Sequence, residues 1–391
     1  MFHSIVRIIQ IVAVFGTVSS SIYYLLCLWS AAAFLRERKA ADRSVRPTQF
    51  SPPVSILKPV KGTDPDIYEC FRSHCLQEYS QYEIIFGVSD ANDPAVESVR
   101  QLQREFPQRE IRLVVCSKML GANVKVSNLA QMLPAASYEY LIVNDSDIRV
   151  QPDYLHKVIA PLANEKIGMV TCLYRGEPTA TLGSRLESLG ISTDFCAGVL
   201  VARQLEGGIR FGLGSTLAFR RADLERIGGF ESLVDYLADD YELGKRIADL
   251  GLSIELSHAV VVTHLPAYTF RGFFAHQLRW ARGVRDSRPG GYLGLVFTFG
   301  LVWSCLAVIV SQGSRWAWSL LALAFLLRFA VATVVGRKVL RDRKVVRHFW
   351  LLPIRDLIAV GVWLVSLGGR TVTWRGDQFH LKGGKLSRTG Q

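Results

Sequence analysis

The stretch Tyr140-Leu-Ile-Val-Asn-Asp-Ser-Asp-Ile-Arg-Val150 decides how this chain is read. It is an apolar strand that runs straight into two carboxylates, Asp145 and Asp147. Side chains at i and i+2 of an extended segment point the same way, so both acids are expected to face one spot just past the strand end. Open α/β sheets bind their ligands at that carboxyl edge. Two hard oxygen donors there suit a divalent cation that also holds a diphosphate. With 34 Asp and Glu among 391 residues, an acid-x-acid pair arises by chance about three times, so the pattern takes its meaning from its neighbours.

Working outward, Val54-Ser-Ile-Leu-Lys-Pro-Val60, Glu83-Ile-Ile-Phe-Gly-Val88, Ile111-Arg-Leu-Val-Val115 and Glu139-Tyr-Leu-Ile-Val143 read as short strands. Helical patterns separate them over 66–77, 94–106 and 123–133. This alternation predicts an α/β domain between about residues 51 and 288, a mostly parallel sheet with helices on both faces. Acids recur at a strand end in Gly87-Val-Ser-Asp-Ala-Asn-Asp-Pro94. There Asp90 is placed to accept hydrogen bonds from a nucleotide's base or ribose, and Asp93 before Pro94 fits a helix cap.

Tyr236-Leu-Ala-Asp-Asp-Tyr-Glu-Leu-Gly244 opens a helix expected to run to about Leu250. Acids at a helix start complement its dipole, but adjacent Asp239 and Asp240 cannot both cap it. One of them facing a cleft is suited to take a proton from an alcohol. In His276-Gln-Leu-Arg-Trp-Ala-Arg-Gly-Val-Arg285, helical spacing puts His276, Trp280 and Gly283 on one face and Arg279 with Arg282 on another. Arg279 would offset diphosphate charge and Trp280 would close the pocket; the alternative is a basic helix touching anionic lipid. His258 and His264 read as structural.

A hydrophobic fraction of 49% and a mean hydropathy of +0.20 point to a membrane protein with one sizeable soluble domain. The net charge of +12 gathers beside apolar segments and forms no nucleic-acid-binding module, which argues against a nucleic-acid partner. Seven scattered cysteines without a C-x-x-C pair read as reduced thiols of a cytosolic compartment. Ile11 to Phe34 is an uncharged run long enough to cross a bilayer and too long for a signal-peptide core. Arg36, Arg38, Lys39, Arg43 and Arg46 follow, so the next residues belong in the cytoplasm. Residues 291–313 and 316–336, the latter interrupted by Arg328, read as a membrane hairpin returning to the basic stretch 337–347. Residues 349–368 contain Pro353, Arg355 and Asp356, and an intramembrane Arg–Asp pair is costly, so this segment either spans or is re-entrant or interfacial. A tail carrying Arg370, Arg375, Lys382, Lys385 and Arg388 favours a cytoplasmic end and the non-spanning form. The chain thus divides into an N-terminal helix (1–35), a cytosolic domain (36–290) with a membrane-proximal helix at 270–288, and a C-terminal membrane region (291–391). Leu182 to Val201 is either an interfacial element guiding a lipid or a core helix.

The stretches 54–62, 89–95, 121–129, 144–150 and 236–241, with the Arg279-Trp280 helix, resemble in order those of the ceramide glucosyltransferases, glycosyltransferase family 21. Among bacterial relatives the chain is especially similar to the hopanoid-biosynthesis glycosyltransferases. The resemblance implies a GT-A nucleotide-sugar-binding domain, a UDP-sugar donor, a divalent metal (magnesium or manganese) and a membrane-lipid acceptor such as a hopanoid polyol or ceramide. It implies a multi-pass protein of a bacterial inner membrane with its catalytic domain in the cytoplasm. Residue by residue, Asp90 would hold the uridine, Lys125 would lie in the donor site, and Asp145 and Asp147 would handle metal and diphosphate. Asp240 would be the catalytic base, with Asp239 beside it. His276, Arg279 and Trp280 fall on the family's Q/R-x-x-R-W signature, with His276 where Gln or Arg is usual. The complete Asp145-x-Asp147 pair leans away from a strict ceramide assignment, because the ceramide enzymes tend to carry only its first acid. Two other readings exist: a processive polysaccharide synthase, which needs more membrane helices than three or four, and a non-catalytic scaffold, which would have lost acids that this chain keeps.

Overall fold

The computed structural model describes residues 2–43, 50–374 and 377–388; Arg46 and Arg375, counted above among the basic flanks, lie outside the described residues. The central sheet uses eight strands: β1 (Val54–Val60), β2 (Tyr82–Val88), β3 (Glu110–Val115), β4 (Tyr140–Val143), β5 (Ile148–Arg149), β6 (Ile167–Glu177), β7 (Leu217–Arg220) and β8 (Ser253–His264). Their order is β3-β2-β1-β4-β7-β6-β8-β5. The pairs β1–β2, β2–β3, β1–β4 and β6–β8 are parallel, as expected, while β7 runs antiparallel to both β4 and β6. Every residue of β1 and β2 is buried, which is why these strands read as continuous apolar runs: helices cover both faces. The chain leaves β1 toward β2 on one side and later fills β4 on the other. That places the carboxyl ends of β1, β2 and β4 at one switch point, where such sheets hold ligands.

The residues after β4 depart from the expected extended course. Asn144 to Asp147 leave the strand and turn, with Ile148 N donating to Asp145 O at 3.4 Å. The two carboxylates are therefore set by a turn and not by the alternation of a strand.

The N-terminal helix runs unbroken from Phe2 to Arg43, well past the apolar run. Its basic end stays helical because Arg38 donates to the carbonyls of Lys338 and Val339, both at 2.8 Å. The expected span over 291–313 is bent: Pro289–Thr298 and Gly300–Val310 meet at 49°. Eleven residues from Gly300 reach only about 16 Å, roughly half a hydrocarbon core. The bend frees carbonyls, and each finds a side-chain donor. Val296 accepts from Trp303 Nε1 at 2.7 Å, Phe297 from Ser20 Oγ at 2.8 Å and Thr298 from Tyr24 OH at 3.2 Å. Satisfied in this way, broken helix is tolerated at membrane depth. Among the described residues, three helices are long and apolar enough to cross a bilayer, or four if the bent pair counts as one span.

The neighbouring charges Arg355 and Asp356 do not pair with each other, because adjacent helical residues point apart. Asp356 instead receives Arg328 at 2.8 and 3.0 Å, and Arg328 also meets Asp194 at 2.6 Å. Arg355 turns to Gln277 Oε1 at 3.2 Å. Residues 182–201 are largely buried: Leu186 and Leu189 pack with Phe273, Ala332 and Leu352, and Cys196 and Ala197 pack against the sheet and the N-terminal helix. A π-helical turn, Ile191–Phe195, interrupts it.

The tail beyond Gly369 was expected only as a basic extension. It folds into an antiparallel sheet of β9 (Thr371–Trp374), β10 (Asp377–Lys382) and β11 (Lys385–Arg388). Val372, Phe379, Leu381 and Leu386 bury one face against Leu237. Leu237 N donates to Gly384 O at 3.0 Å and Leu386 N to Asp235 O at 2.7 Å, so the tail grips the loop just ahead of Asp239.

Candidate active site

Four elements meet past the carboxyl ends of β1 and β4. β1 brings Lys58, which is wholly buried and donates from Nζ to Asp145 O at 3.0 Å. Burial pulls its ammonium down to about 8. The turn after β4 is pinned from two sides: Asn144 Nδ2 donates to Ser215 O at 2.7 Å, and Ser146 Oγ donates to Asp64 at 2.5 Å. Asp147 points inward, where Thr263 Oγ1 of β8 donates to its carboxylate at 2.5 Å. Burial first, and then the charge of Asp145, push the Asp147 carboxyl up to about 7.

Asp145 meets the helix Val124–Met132. Asn123 caps that helix, its Oδ1 accepting from Val126 N at 3.1 Å, while its Nδ2 donates to Tyr236 O at 2.7 Å. One side chain therefore sets where the helix starts and ties it to the loop before Asp239. In the first turn Lys125 Nζ bridges Asp145 at 2.8 Å and Asp239 at 3.1 Å. Burial alone would lower this ammonium, but the two carboxylates outweigh it and hold Lys125 above its usual range.

Asp240 stands at the start of the helix Asp239–Asp249. A methyl on Gly244 of that helix would lie 2.2 Å from Gly212 N, so the helix rests directly on the loop 212–216. The contact aims Gly214 N at Asp240 Oδ2, 2.7 Å away, while Tyr241 N donates to Oδ1 at 2.8 Å. A methyl on Gly214 would sit 3.2 Å from Asp145 Oδ2 and 3.2 Å from Asp240 Oδ2, so both carboxylates border the same glycine. Burial, and then Asp239, push the Asp240 carboxyl up to about 6 against the opposing charge of Lys125. A carboxyl so placed is charged at neutral pH and still basic enough to accept a proton.

Asp90 is exposed at the end of β2, its carboxylate accepting from Asn92 N at 2.9 Å. It stands at the same sheet edge, one loop away from the acidic cluster, and its neighbour Ser89 bonds Asn128 on the helix that carries Lys125. Asp93 accepts from Ala95 N at 2.9 Å, as a cap would, and from Gly62 N, which joins the β1 and β2 loops.

The helix Phe270–Ser287 presents His276 and Trp280 on one face, with rings 5.0 Å apart. Trp280 continues to Phe195 and then Tyr174, at 6.2 and 5.4 Å. His276 stacks on Tyr268, and its Nδ1 lies 3.1 Å from the buried Glu187. Burial, Cys196 and then Asp240 raise the Tyr174 hydroxyl, so this aromatic wall comes within electrostatic reach of the acids. Arg279 lies over the Trp374 ring of β9 at 5.8 Å. His264 Nδ1 lies 2.9 Å from Asp66 and its backbone N donates to Asp147 O at 3.0 Å.

Among the described residues no three acids, histidines or cysteines gather as a metal cage. Asp145 and Asp147 are two carboxylates, and after burial it is their mutual repulsion that raises Asp147. A hard divalent cation would relieve it and complete its shell with phosphate oxygens and water, so the donor set fits such an ion. Lys58, Thr263, Glu187 and the loop 212–216 escaped sequence reasoning. A lysine inside the apolar run Val54–Val60 was the one visible signal.

The family model of glycosyl transferase family 21 matches residues 12–387. Ceramide glucosyltransferase 1 of Caenorhabditis elegans is 24% identical over 393 residues, covering 97% of this chain and 82% of that protein. The ceramide glucosyltransferase of Komagataella phaffii is 35% identical over 101 residues, 25% of this chain and 20% of its own length. The probable glycosyltransferase YdaM of Bacillus subtilis is 25% identical, covering 59% of this chain and 55% of its own. The mannosyltransferase PcManGT from Pyrobaculum calidifontis, solved in complex with GDP-Man and Mn2+, superposes with a TM-score of 0.54 at 20% identity, covering 92% of this chain and all of that one. The fold is that of the GT-A glycosyltransferases, and the chain belongs to glycosyltransferase family 21.

Proposed function

We propose that the chain moves a hexose, glucose or N-acetylglucosamine, from a UDP-sugar to the hydroxyl of a membrane lipid, a hopanoid polyol or ceramide, with inversion. The observation that carries this reading is Asp240, held by two backbone amides and facing Asp145 across Gly214, with its carboxyl at about 6. The ceramide glucosyltransferase relatives favour a lipid acceptor, and the archaeal complex with GDP-Man and Mn2+ favours a sugar nucleotide and a metal.

In this mechanism Asp240 accepts the proton of the lipid hydroxyl as that oxygen bonds the anomeric carbon and the carbon–diphosphate bond breaks. Such general-base help contributes roughly 10²–10⁴-fold. The amides of Gly214 and Tyr241 fix the carboxylate toward the acceptor. Asp145 and Asp147 would hold magnesium or manganese, which when bound neutralises diphosphate charge. Lys125 keeps Asp145 and Asp239 together and adds positive charge beside the diphosphate. Asp90 takes the uridine end. Arg279 lies at the C-terminal sheet and serves the diphosphate from there, while Trp280 and His276 line the acceptor side.

The same reading sets the catalytic domain in the cytoplasm against a bacterial inner membrane. The helix Phe349–Leu367 packs along Phe270–Ser287, with Arg355 on Gln277 at one end and Arg285 donating to Ser366 O toward the other. Both ends are thus tied to the catalytic side, which favours an in-plane interfacial helix over a crossing. The docked C-terminal sheet favours a cytoplasmic C-terminus.

Binding of labelled UDP-sugar to the purified chain, with and without divalent metal, tests the donor site. The substitution Asp240→Asn should leave that binding nearly intact and abolish turnover. Retained turnover would refute the base assignment.

A further inference from the structure

A cavity of about 340 Å³ opens where the chain returns from its membrane helices, at the size where ligand sites begin. One wall is Pro178 to Ala180 and Arg185 of the catalytic domain; the other is Lys344, Arg347, His348 and Trp350. Lys344 is paired with Glu177. Among the described residues no acid pairs with Arg185 or Arg347, so two cations facing one cavity keep their charge uncompensated. His348 reports their proximity: burial, and then Arg185, hold its imidazole below the usual range.

The rim of this cavity is apolar in one direction only. Trp350 is 63% exposed, and Ile354, Leu357 and Leu364 follow at 43%, 63% and 56%. Their spacing puts them on one face of the helix Phe349–Leu367, with Gly361 leaving open space among them. A basic pocket thus continues into an apolar track. Basic pockets on the cytoplasmic side of membrane helices suit anionic headgroups, and tryptophan suits the interface.

We propose that this cavity binds an anionic phospholipid, with its phosphate between Arg185 and Arg347 and an acyl chain along Trp350, Ile354 and Leu357. The site is separate from the acidic cluster and joins catalytic domain to bilayer. It rests on the interfacial placement of the helix Phe349–Leu367.

Native mass spectrometry of the purified full chain in neutral detergent tests it, with phosphatidylglycerol, phosphatidylcholine and inorganic phosphate as probes. Wild type should retain one phosphatidylglycerol, more than tenfold tighter than phosphatidylcholine and not displaced by millimolar phosphate. Each interfacial cation contributes about fivefold, so Arg185→Gln with Arg347→Gln should weaken retention about thirtyfold. Donor-nucleotide binding confirms that this variant is folded; should it not fold, the single variants carry the test, each expected about fivefold weaker. Equal retention of the two lipids, unchanged binding by the variants, or displacement by phosphate would each overturn the proposal. Carbonate extraction of the chain from membranes would overturn it too, together with the membrane placement on which it rests.

Discussion

Gly214 offers the sharpest test of the site's geometry. Its backbone lies outside the left-handed region, so Gly214→Ala adds a methyl without backbone strain. That methyl would sit 3.2 Å from Asp145 Oδ2 and equally close to Asp240 Oδ2, tighter than nine in ten such contacts. Each carboxylate must retreat by a few tenths of an ångström, and Asp240 cannot do so without stretching its 2.7 Å bond from Gly214 N. Misplacement by 1 Å costs about 10²-fold in rate, so a shift of a few tenths should lower kcat about fourfold, or about 0.8 kcal/mol of barrier. Folding stability should change by no more than about 1 kcal/mol, since little buried volume is disturbed. The assay is UDP release from a UDP-sugar with mixed membrane lipids, alongside donor binding and a thermal melt. Gly290→Ala, whose methyl would meet nothing, is the matched control. A Gly214→Ala enzyme with kcat within twofold of wild type would refute the idea that both carboxylates work across this glycine.

The pH profile follows from Asp240. A base must be charged, and a carboxyl raised to about 6 loses charge as pH falls through 6, so kcat/KM should drop about tenfold per unit well below it and level off above pH 7. An acid limb centred near 4, the ordinary carboxylate range, would contradict the raised value. Replacing Lys125 with Met removes the cation that opposes this shift, so the limb should move above 6 and donor binding should weaken; an unmoved limb would show that Lys125 does not act on Asp240. Arg328→Leu strands the buried Asp356 without its cation and leaves Asp194 only Arg355 at 3.7 Å, a loss of about 3–5 kcal/mol, visible as a collapsed melting temperature in detergent. Adding Asp356→Leu should restore part of it, and a single variant that melts like wild type would show the network to be stabilising nothing.

Much of the scaffold was legible in the chain. The strands ending at Val60, Val88, Val115 and Val143 fall within a residue or two of their expected bounds; covered on both faces, the first two must be apolar throughout. The helix opened by Asp239 was equally plain from its acids and periodicity. Bends and partners were not. The break at Phe299 depends on hydroxyls of Ser20 and Tyr24, hundreds of residues earlier, that accept no local signature. The C-terminal sheet hid among basic residues, its alternating Phe379 and Leu381 too short a pattern to stand out.

Local composition by itself determined the strand edge, the acids upon it and the apolar helices around it, since burial and extended backbone impose their periods on neighbouring residues. Which acids meet was decided only by tertiary structure. Lys125, Gly214 and Asp240 come from three separate segments, and a bond between distant segments leaves no spacing to read. The turn after β4 sends Asp147 inward to Thr263 and Asp145 outward to Lys125, a division that the i, i+2 pattern did not contain.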